Sequence, residues 1–506
     1  MVDAGASSVE PRPQRPWLAA LLSFLFPGLG QAYAGRRRAA LAFAIPTLVL
    51  VALVAATVLG IFEPPRNWLL STGFLVAVMV ANVAVFLWRL AAISDAGLWP
   101  WRGGIRWDRG WNGVAVGALL AITLAMHAWV GVVVLRLEDT LTDVFAGADP
   151  GRRDPTPTGG ALPTDVPEEP VKPVDRWNGT ERINILLLGT DAAPGRKAEL
   201  TDVILLVSVD PVAETAVMVS VPRDTGFMPL RDVTVYETGL YPDKVNGLMS
   251  VAAREPERWC PDLEEDTTSC GLRTIEESVG LYLGVEIHHY ALVDMSGFAQ
   301  LIDALGGLEL CLPGRLYDPE FDGTLRNVGS IAPLELPAGC HQYDGLDALA
   351  YARSRKGWIE MPSGEIVPQN DFTRSERQQQ VLLALRRELA QADTLFELPG
   401  VLDAIGQTVS TDFPRDQAGD LASLIPLITG PDIERIVLSY PEYVDLPSQP
   451  DVNYLLVPKR DAVREAMSAL FGSSELEGWY LGTRSERPGE DTGTDSDARR
   501  RTRQPA

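Results

Sequence analysis

Apolar residues are concentrated in a few long runs near the start of the chain, whereas later residues form short apolar stretches separated by polar ones. Three runs are long enough to cross a bilayer, which takes about 20 residues: Ala39–Phe62, Trp68–Trp88 and Trp111–Leu135. A fourth run, Trp17–Ala34, is interrupted by a helix-breaking Pro-Gly pair, so it predicts a re-entrant or interfacial segment. The pattern therefore predicts an α-helical membrane region over residues 1–137.

Charge is distributed unevenly and predicts an orientation in the membrane. The chain has 506 residues and a net charge of −23, of which residues 1–136 carry +6 and the remainder −29. Arginines at 36–38 and between 89 and 109 place both of those loops in the cytoplasm, which puts the chain after Leu135 outside the cell. Four spans with the N-terminus outside remain the alternative to three. The acidic surface repels phosphate, so a nucleic-acid partner is excluded.

Proline and polar residues mark a linker and a tail. Residues 138–179 contain seven prolines among Thr, Asp and Gly, which predicts an extended extracytoplasmic linker. Residues 484–506 are polar throughout and predict a disordered tail. Between them the sequence predicts a folded domain over residues 180–390 and a C-terminal extension of that domain over residues 391–483.

Strand and helix patterns alternate from Ile183 onwards. Ile183–Leu188 is almost continuously apolar, as in a strand buried on both faces. This alternation predicts an α/β fold, a layered α/β-sheet domain outside the membrane preceded by the transmembrane helices. The other predicted strands are Val203–Val209, Ala216–Val221, Tyr290–Val293, Leu308–Leu312 and Ile436–Ser439, and the predicted helices are Leu272–Leu283, Ser296–Leu305 with Ser296 as N-cap, Asp371–Ala390, Ala418–Ile428 and Arg460–Phe471.

The four cysteines all lie in the segment predicted to be outside the cell. An even number there suggests disulfides, and four cysteines allow three pairings. We favour Cys260–Cys270, which closes a short polar loop, together with Cys311–Cys340. A zinc site built from all four is the competing interpretation, although the closely spaced cysteine pair typical of such sites is missing from the sequence.

Charged residues stand beside the predicted strands. Asp191 follows the first buried strand, Asp202 precedes the second, and Arg223-Asp224 follows the third. Sites in α/β folds form at strand ends, and Mg²⁺ favours one or two carboxylates together with phosphate oxygens. Asp191 and Asp202 would bracket one loop and could share such an ion.

Several further cations lie in the second half of the domain. Arg353 and Arg355 are two residues apart, so a strand would point both to one face. A helix would put Arg374 and Gln378 on one face, with Arg377 close by. Arginine matches phosphate geometry bidentately, so this set predicts a pyrophosphate site, to which Lys244 adds a charge. The alternative interpretation is a group of ordinary surface ion pairs.

These residues belong to ordered motifs that resemble the LytR-CpsA-Psr family, over roughly residues 182–385 with an extension to about 472. The motifs are Asn-Ile-Leu-Leu-Leu-Gly-Thr-Asp at 184–191 with Asp202, Ser-Val-Pro-Arg-Asp-Thr at 220–225, Lys-Val-Asn at 244–246, Ser-Gly-Phe at 296–298 with Asp-Ala-Leu-Gly-Gly at 303–307, Ala-Leu-Ala-Tyr-Ala-Arg-Ser-Arg at 348–355, and Asp371 to Gln379.

The resemblance implies a membrane-anchored extracytoplasmic phosphotransferase that moves a glycopolymer from a polyprenyl-pyrophosphate carrier to a peptidoglycan hydroxyl. A polyprenyl-pyrophosphate phosphohydrolase and a non-catalytic glycan- or lipid-binding envelope protein are the alternatives. The family usually has one N-terminal span, whereas this chain is predicted to have three or four. By resemblance, Asp191 and Asp202 bind Mg²⁺, Asp224 and Asp371 orient arginines or act as a base, and the pyrophosphate is contacted by Arg223, Arg353, Arg355 and Arg374, helped by Lys244, Arg377 and Gln378.

Overall fold

The computed structural model describes most of the membrane region and of the outer domain. The described residues are 15–59, 61, 68, 70–98, 111–146, 177, 181–190, 200–232, 234–261, 267–321, 333–389, 398–428, 433–447 and 454–472. Asp191, most of the proline-rich linker and the C-terminal tail lie outside these residues, so the predictions made for them stay predictions.

Within the described residues, five helices form the predicted membrane region. They are α1 (Pro16–Leu25), α2 (Leu29–Tyr33), α3 (Arg37–Val58), α4 (Thr72–Leu98) and α5 (Trp111–Val144). Among the described residues, α3, α4 and α5 are the helices long and apolar enough to cross a membrane. They coincide with the three predicted spans, but α4 continues ten residues past Trp88 and α5 continues to Val144, seven residues into the segment assigned to the linker.

The broken run at the start forms a helical hairpin. Gly28 has φ of +106°, a conformation that favours glycine, and a side chain at Gly30 would collide with the backbone of Ala19. Helix α1 has ten residues and is therefore about 15 Å long. That is half the hydrocarbon thickness of about 30 Å, so α1 by itself is too short to cross.

Buried polar contacts hold this hairpin against the end of α4. Gln31 is fully buried and donates to the carbonyl oxygen of Ala92 at 2.9 Å. Ser23 donates to Gln31 at 2.9 Å, and Arg36 pairs with Asp95 through two hydrogen bonds of 2.7 and 3.1 Å. These contacts hold the start of α3 beside the end of α4. Two helices that cross a membrane one after the other require this, because the first begins on the side where the second ends.

The outer domain contains nine helices within the described residues. They are α6 (Leu248–Arg254), α7 (Pro256–Trp259), α8 (Thr267–Leu283), α9 (Met295–Ala304), α10 (Gly345–Arg353), α11 (Asp371–Leu389), α12 (Leu398–Thr408), α13 (Ala418–Ile428) and α14 (Arg460–Phe471). The predicted helices are all present, although Asp294 and not Ser296 is the N-cap of α9, because the Asp294 carboxylate accepts from the backbone N–H of Gly297.

The strands form one large sheet and several small ones. In chain order the strands are β1 (Ile183–Thr190), β2 (Thr201–Asp210), β3 (Thr215–Ser220), β4 (Met228–Pro229), β5 (Leu240–Tyr241), β6 (His289–Asp294), β7 (Leu308–Leu312), β8 (Arg315–Asp318), β9 (Leu334–Leu336), β10 (Gly339–Tyr343), β11 (Trp358–Glu360), β12 (Ile366–Pro368), β13 (Val409–Thr411), β14 (Glu434–Val437), β15 (Val444–Asp445) and β16 (Val457–Pro458).

The large sheet has six strands in the order β13-β6-β1-β2-β3-β14. Strand β2 is antiparallel to both β1 and β3, while β6 is parallel to β1 and β14 is parallel to β3. Consequently the ends of β1, β3, β6 and β14 meet the start of β2 at one edge of the sheet. The small sheets pair β8 with β9 and β11, β11 with β12, β7 with β10, β4 with β5, and β15 with β16.

Helices cover both faces of the large sheet, which confirms the layered α/β prediction. On one face, Leu186 and Leu188 of β1 pack with Ile275 and Val279 of α8. On the other face, Leu205 of β2 and its neighbours pack with α13. Burying both faces explains why β1 is apolar at nearly every position. A further core lies between α9, α10, α11 and the small sheet that contains β8.

Helix α5 is joined to the outer domain by direct contacts. The hydroxyl of Thr140 donates to the carbonyl oxygen of Leu402 in α12 at 2.9 Å. Arg136 pairs with Asp403 at 3.0 Å, and Glu138 pairs with Arg415 at 2.5 Å. The last predicted span thus continues as a helix into the folded domain instead of ending at a flexible boundary.

Both predicted disulfides are present. Cys260 pairs with Cys270, and Cys311 pairs with Cys340 across neighbouring strands β7 and β10. The zinc interpretation is wrong, because all four sulfurs are already bonded.

Removing the buried disulfide should destabilise the domain. Cys260 and Cys270 are both fully buried in the main core. We expect the double substitution Cys260→Ser and Cys270→Ser to lower the free energy of unfolding by about 2–4 kcal/mol, from loop closure. Chemical denaturation of the full chain measures this, and thiol titration of the unreduced denatured protein should find no free thiol. Four titratable thiols would contradict the pairing.

Candidate functional site

The predicted carboxylates and arginines meet at the sheet edge where β2 begins and β3 ends. Asp202 is the second residue of β2, and Arg223-Asp224 comes shortly after β3. Because β2 and β3 are antiparallel, these residues come together although 21 positions separate Asp202 from Arg223 in sequence. The sheet topology therefore assembles this part of the site, and Asp191 lies outside the described residues.

Arg223 is at the centre of the charged cluster. Its side chain is 12% exposed and donates to Asp202 at 2.7 Å, while its Nε lies 3.5 Å from Asp371 and 4.0 Å from Asp224. Burial opposes the charge, but the surrounding carboxylates raise the pKa of Arg223 above its usual value. Burial likewise acts to raise the pKa of Asp202, and the neighbouring Arg223, Arg374 and Arg353 reverse this and lower it. Both groups are therefore charged at neutral pH.

Helix α11 begins at the site and brings two more residues to it. Asn370 caps the helix by accepting from the backbone N–H groups of Phe372 and Thr373 at 2.9 and 3.0 Å. Asp371 then pairs with Arg374 one turn later at 3.1 Å. Arg374 is only 4% exposed, and burial lowers its pKa despite the nearby carboxylates. Holding a guanidinium in such a buried position is costly unless an anion is present to stabilise it.

Lys244 reaches the site from a short 3-10 turn. Its Nζ contacts Asp224 at 2.8 Å and lies 5.8 Å from the centre of the Tyr454 ring. The turn is held beside β3 because the N–H of Val245 donates to Thr225 and that of Asn246 donates to Arg223. Lys244 therefore lies next to Arg223, as the site prediction requires.

Arg353 and Arg355 also face the site, but not from a strand. Helix α10 ends at Arg353, Ser354 leaves the helical conformation, and Arg355 lies in the following turn. The expectation that a strand points both side chains to one face is thus wrong in its secondary structure. The turn nevertheless places both among the residues that line the pocket.

Arg377 is directed away from the pocket. Its Nε donates to the carbonyl oxygen of Tyr351 at 2.8 Å, and its two terminal nitrogens donate to Gln369 and to the carbonyl oxygen of Ser354. Burial lowers its pKa to about 10. Whereas Arg374 and Gln378 line the pocket, Arg377 lies behind it, so its predicted role in substrate binding does not agree with its position.

The site is an open pocket of about 560 Å³. Six basic and three acidic side chains line it, a net charge of +3 in a chain of net charge −23. The sequence analysis did not identify Arg254, Tyr241 and Asp243, which also line the pocket. Arg254 is the last residue of α6 and belongs to none of the motifs. The lining residues are Leu200, Asp202, Arg223, Asp224, Tyr241, Asp243, Lys244, Asn246, Gly247, Val251, Arg254, Arg353, Arg355, Arg374 and Gln378.

A divalent metal would depend on few protein ligands here. Within the described part of the chain, no group of three or more His, Cys, Asp or Glu side chains could hold a metal ion. Asp202 lines the pocket, with one carboxylate oxygen paired to Arg223. Mg²⁺ commonly uses one or two carboxylates plus substrate phosphates and water, so a single described carboxylate is compatible with it.

The chain is similar over about half of its length to two named bacterial proteins. It is 28% identical over 240 residues to TagU of Halalkalibacterium halodurans, named polyisoprenyl-teichoic acid–peptidoglycan teichoic acid transferase, covering 47% of this chain and 64% of that protein. It is 28% identical over 245 residues to regulatory protein MsrR of Staphylococcus aureus, covering 48% and 61%. Both matches cover less than two thirds of those relatives' length.

A solved structure and a family model complete the comparison. The crystal structure of TagV from B. subtilis aligns with 22% identity and a TM-score of 0.40, covering 59% of this chain and 98% of that one. The LytR_cpsA_psr family model matches residues 161–465, more than half of the chain and all of the pocket-lining residues. The chain therefore belongs to the LytR_cpsA_psr family.

Proposed function

We propose that this protein is an extracytoplasmic phosphotransferase that moves a glycopolymer from a polyprenyl-pyrophosphate carrier to a peptidoglycan hydroxyl. The observation that carries the proposal is the net positive charge of the pocket, whose six basic side chains outnumber its three acidic ones. Its volume accommodates more than a pyrophosphate, so an attached sugar fits as well. The named activity of TagU and the position of the pocket beyond a set of membrane helices support a lipid-linked donor.

The chemistry is a displacement at phosphorus. The acceptor hydroxyl attacks the phosphorus that carries the glycan, a new P–O bond forms, and the bond to the polyprenyl monophosphate leaving group breaks. The hydroxyl proton passes to a base. Of the two carboxylates assigned by resemblance, Asp224 lines the pocket whereas Asp371 pairs with Arg223 and Arg374 beside it. We therefore assign the base role to Asp224 and the orienting role to Asp371.

The cations supply most of the catalysis. Phosphoryl transfer depends on positioning and on neutralising charge on the phosphate oxygens. Arg223, Arg353, Arg355 and Arg374 surround one region of the pocket, and Lys244 adds a point charge beside Asp224. We propose that Asp202 holds Mg²⁺ together with substrate phosphates. Such an ion, when bound, polarises the pyrophosphate.

Product analysis tests the proposal. The full chain in detergent is incubated with a synthetic polyprenyl-pyrophosphate oligosaccharide and peptidoglycan fragments, and the products are identified by mass spectrometry. The full chain is needed because α5 packs on α12. Transfer yields a phosphodiester-linked glycan on the peptidoglycan fragment, whereas hydrolysis yields a free glycan phosphate. Binding without any product would support a non-catalytic protein and overturn the proposal.

The proposed reaction also requires the pocket to be outside the cell. Reporter fusions at Gly103 and Gly147 test this, because the arginine-rich loops place the first inside and the second outside. We expect a cytoplasmic signal at Gly103 and an extracytoplasmic one at Gly147. The ion pair between Arg36 and Asp95 supports an arrangement in which α3 and α4 cross consecutively. A cytoplasmic signal at Gly147 would contradict the function as well as the topology.

A further inference from the structure

The turn that carries Arg353 and Arg355 is held by a buried carboxylate. Asp318, at the end of β8, is 1% exposed. One of its oxygens accepts from the hydroxyl of Ser354 at 2.8 Å and from the backbone N–H groups of Arg355 and Lys356 at 3.2 Å each. Three donors thus converge on a single oxygen, and all three come from the segment that follows α10.

Arg377 holds the same segment through its carbonyl groups. Its guanidinium is 3% exposed and donates to the carbonyl oxygens of Tyr351 and Ser354. Buried charges are costly unless they are hydrogen-bonded or paired. Asp318 accepts from the N–H groups of the turn, and Arg377 donates to the C=O groups of Tyr351, near the end of α10, and of Ser354. Hydrogen bonds to both the N–H groups and the C=O groups of this segment therefore hold it in place.

The segment also fits closely against β8. A side chain at Gly357 would collide with the carbonyl oxygen of Tyr317, the residue before Asp318. Directly after Gly357, strand β11 pairs with β8, with Trp358 opposite Tyr317. The backbone following Arg355 is thus seated on the strand that supplies the carboxylate.

We propose that Asp318 is a positioning residue of this pocket, one that sets where Arg353 and Arg355 meet the anionic ligand. The proposal rests on the proposed function for the identity of that ligand. Asp318 itself is not among the residues that line the pocket. It acts through the turn, and displacing a bound group by about 1 Å can cost about 100-fold in rate.

Binding of inorganic pyrophosphate tests this assignment. Calorimetric titration is carried out on the full chain in detergent, for wild type, Asp318→Ala and Asp318→Asn. We expect Asp318→Ala to raise the Kd at least 10-fold. Asparagine keeps one oxygen that can accept from the donors of the turn. Its amide nitrogen then faces the backbone N–H of Glu320, which donates to the second carboxylate oxygen of Asp318 in the native protein, so that hydrogen bond is lost. Asp318→Asn should therefore restore part of the affinity.

Asp412→Ala is the matched control. The side chain of Asp412 is also only 6% exposed, and it accepts from the backbone N–H of Tyr290 at 2.8 Å. It lies where β6 begins, at the sheet edge opposite the pocket. We expect Asp412→Ala to lower the melting temperature without changing the Kd. If it weakens pyrophosphate binding as much as Asp318→Ala does, general destabilisation explains the effect and the assignment is overturned.

A second comparison separates positioning from a merely structural role. In an Arg353→Ala and Arg355→Ala background, Asp318→Ala should raise the Kd less than twofold further, because the residues it positions are gone. An equal factor in both backgrounds would refute the proposal. If Asp318→Ala does not fold, Ser354→Ala, which removes one of the three donors, takes its place.

The outcomes also distinguish this inference from the proposed function. If wild type binds pyrophosphate and Asp318→Ala binds it equally well, the inference fails while the proposed function stands. If wild type does not bind pyrophosphate, the proposed function fails. In that case, hydrogen exchange at the backbone amides of Arg355 and Lys356 tests whether Asp318 positions the turn. Exchange should be faster in Asp318→Ala than in Asp412→Ala, and equal exchange would overturn the proposal.

Discussion

Replacing Arg353 or Arg355 by alanine is expected to reduce glycopolymer transfer by about 30- to 1000-fold, equivalent to about 2–4 kcal/mol of transition-state stabilisation. Each arginine lines the pocket beside Asp202 and Arg374. Because the neighbouring side chains of Asp202 and Arg374 are largely buried, a cation there stabilises developing charge on phosphate oxygens more than a surface cation does. Turnover of the polyprenyl-pyrophosphate oligosaccharide, followed by mass spectrometry, measures the loss.

Arg315→Ala is the matched control for these substitutions. Arg315 also pairs with carboxylates, Glu335 at 2.9 Å and Glu360 at 3.3 Å, but it is 43% exposed on β8 and does not line the pocket. We expect Arg315→Ala to transfer at the wild-type rate, since exposed ion pairs contribute little. Thermal melts accompany the rates. If folded Arg353→Ala transfers as fast as Arg315→Ala, the cluster is not the catalytic site and the surface ion-pair interpretation takes its place.

Asp202→Asn is expected to reduce the rate by about 100-fold, or about 2.7 kcal/mol, for two reasons that act together. It removes the carboxylate proposed to hold Mg²⁺, and it leaves Arg223, 2.7 Å away, with a neutral amide in place of its charged partner. The loss of a metal ligand is overcome in part by mass action, so activity should recover partly as Mg²⁺ is raised. Rates measured over a range of Mg²⁺ concentrations test this.

Asp210→Asn provides the control at the opposite end of the same strand. Asp210 pairs with Arg182 at 3.1 Å and is partly buried, as Asp202 is, but it lies away from the pocket. Its substitution should leave both the rate and the Mg²⁺ dependence unchanged. If wild type and Asp202→Asn show the same Mg²⁺ dependence, Asp202 is not a metal ligand, even if the rate falls because Arg223 has lost its charged partner.

Local sequence patterns were sufficient to identify the elements that carry the site. The three long apolar helices follow from continuous apolar runs of sufficient length to cross a membrane. The strand that became β1 and the helices α13 and α14 follow from periodicity, because burial on one or both faces of an element determines which positions are apolar. The disulfides followed from an even number of cysteines in a segment predicted to lie outside the cell. The motifs around Asp202, Arg223 and Arg374 indicated the site for the same reason, since each lies within one continuous segment.

Spacing alone was misleading where two elements meet. Arg353 and Arg355 were expected on a strand, but Asp318 and Arg377 hold them at the end of a helix and in the turn that follows. Both of these buried charges lie outside that segment, so no local pattern contained them. Arg377 was assigned to the substrate by the family resemblance and because it lies close to Arg374 and Gln378 on a helix, yet adjacent positions on a helix point about 100° apart.

The sequence by itself determined the class of fold, the long apolar helices and most of the charged residues at the site, because these depend on composition and on contacts within short segments. Only the tertiary structure decided which of the charges face the pocket and which support it from behind. In the folded protein Arg254 lines the pocket and Arg377 does not, and α5 contacts the outer domain through Thr140 and Glu138. Those outcomes depend on packing between residues that are far apart in the chain. A buried charge is stabilised only by hydrogen-bonding or charged partners, and folding brings those partners close to it.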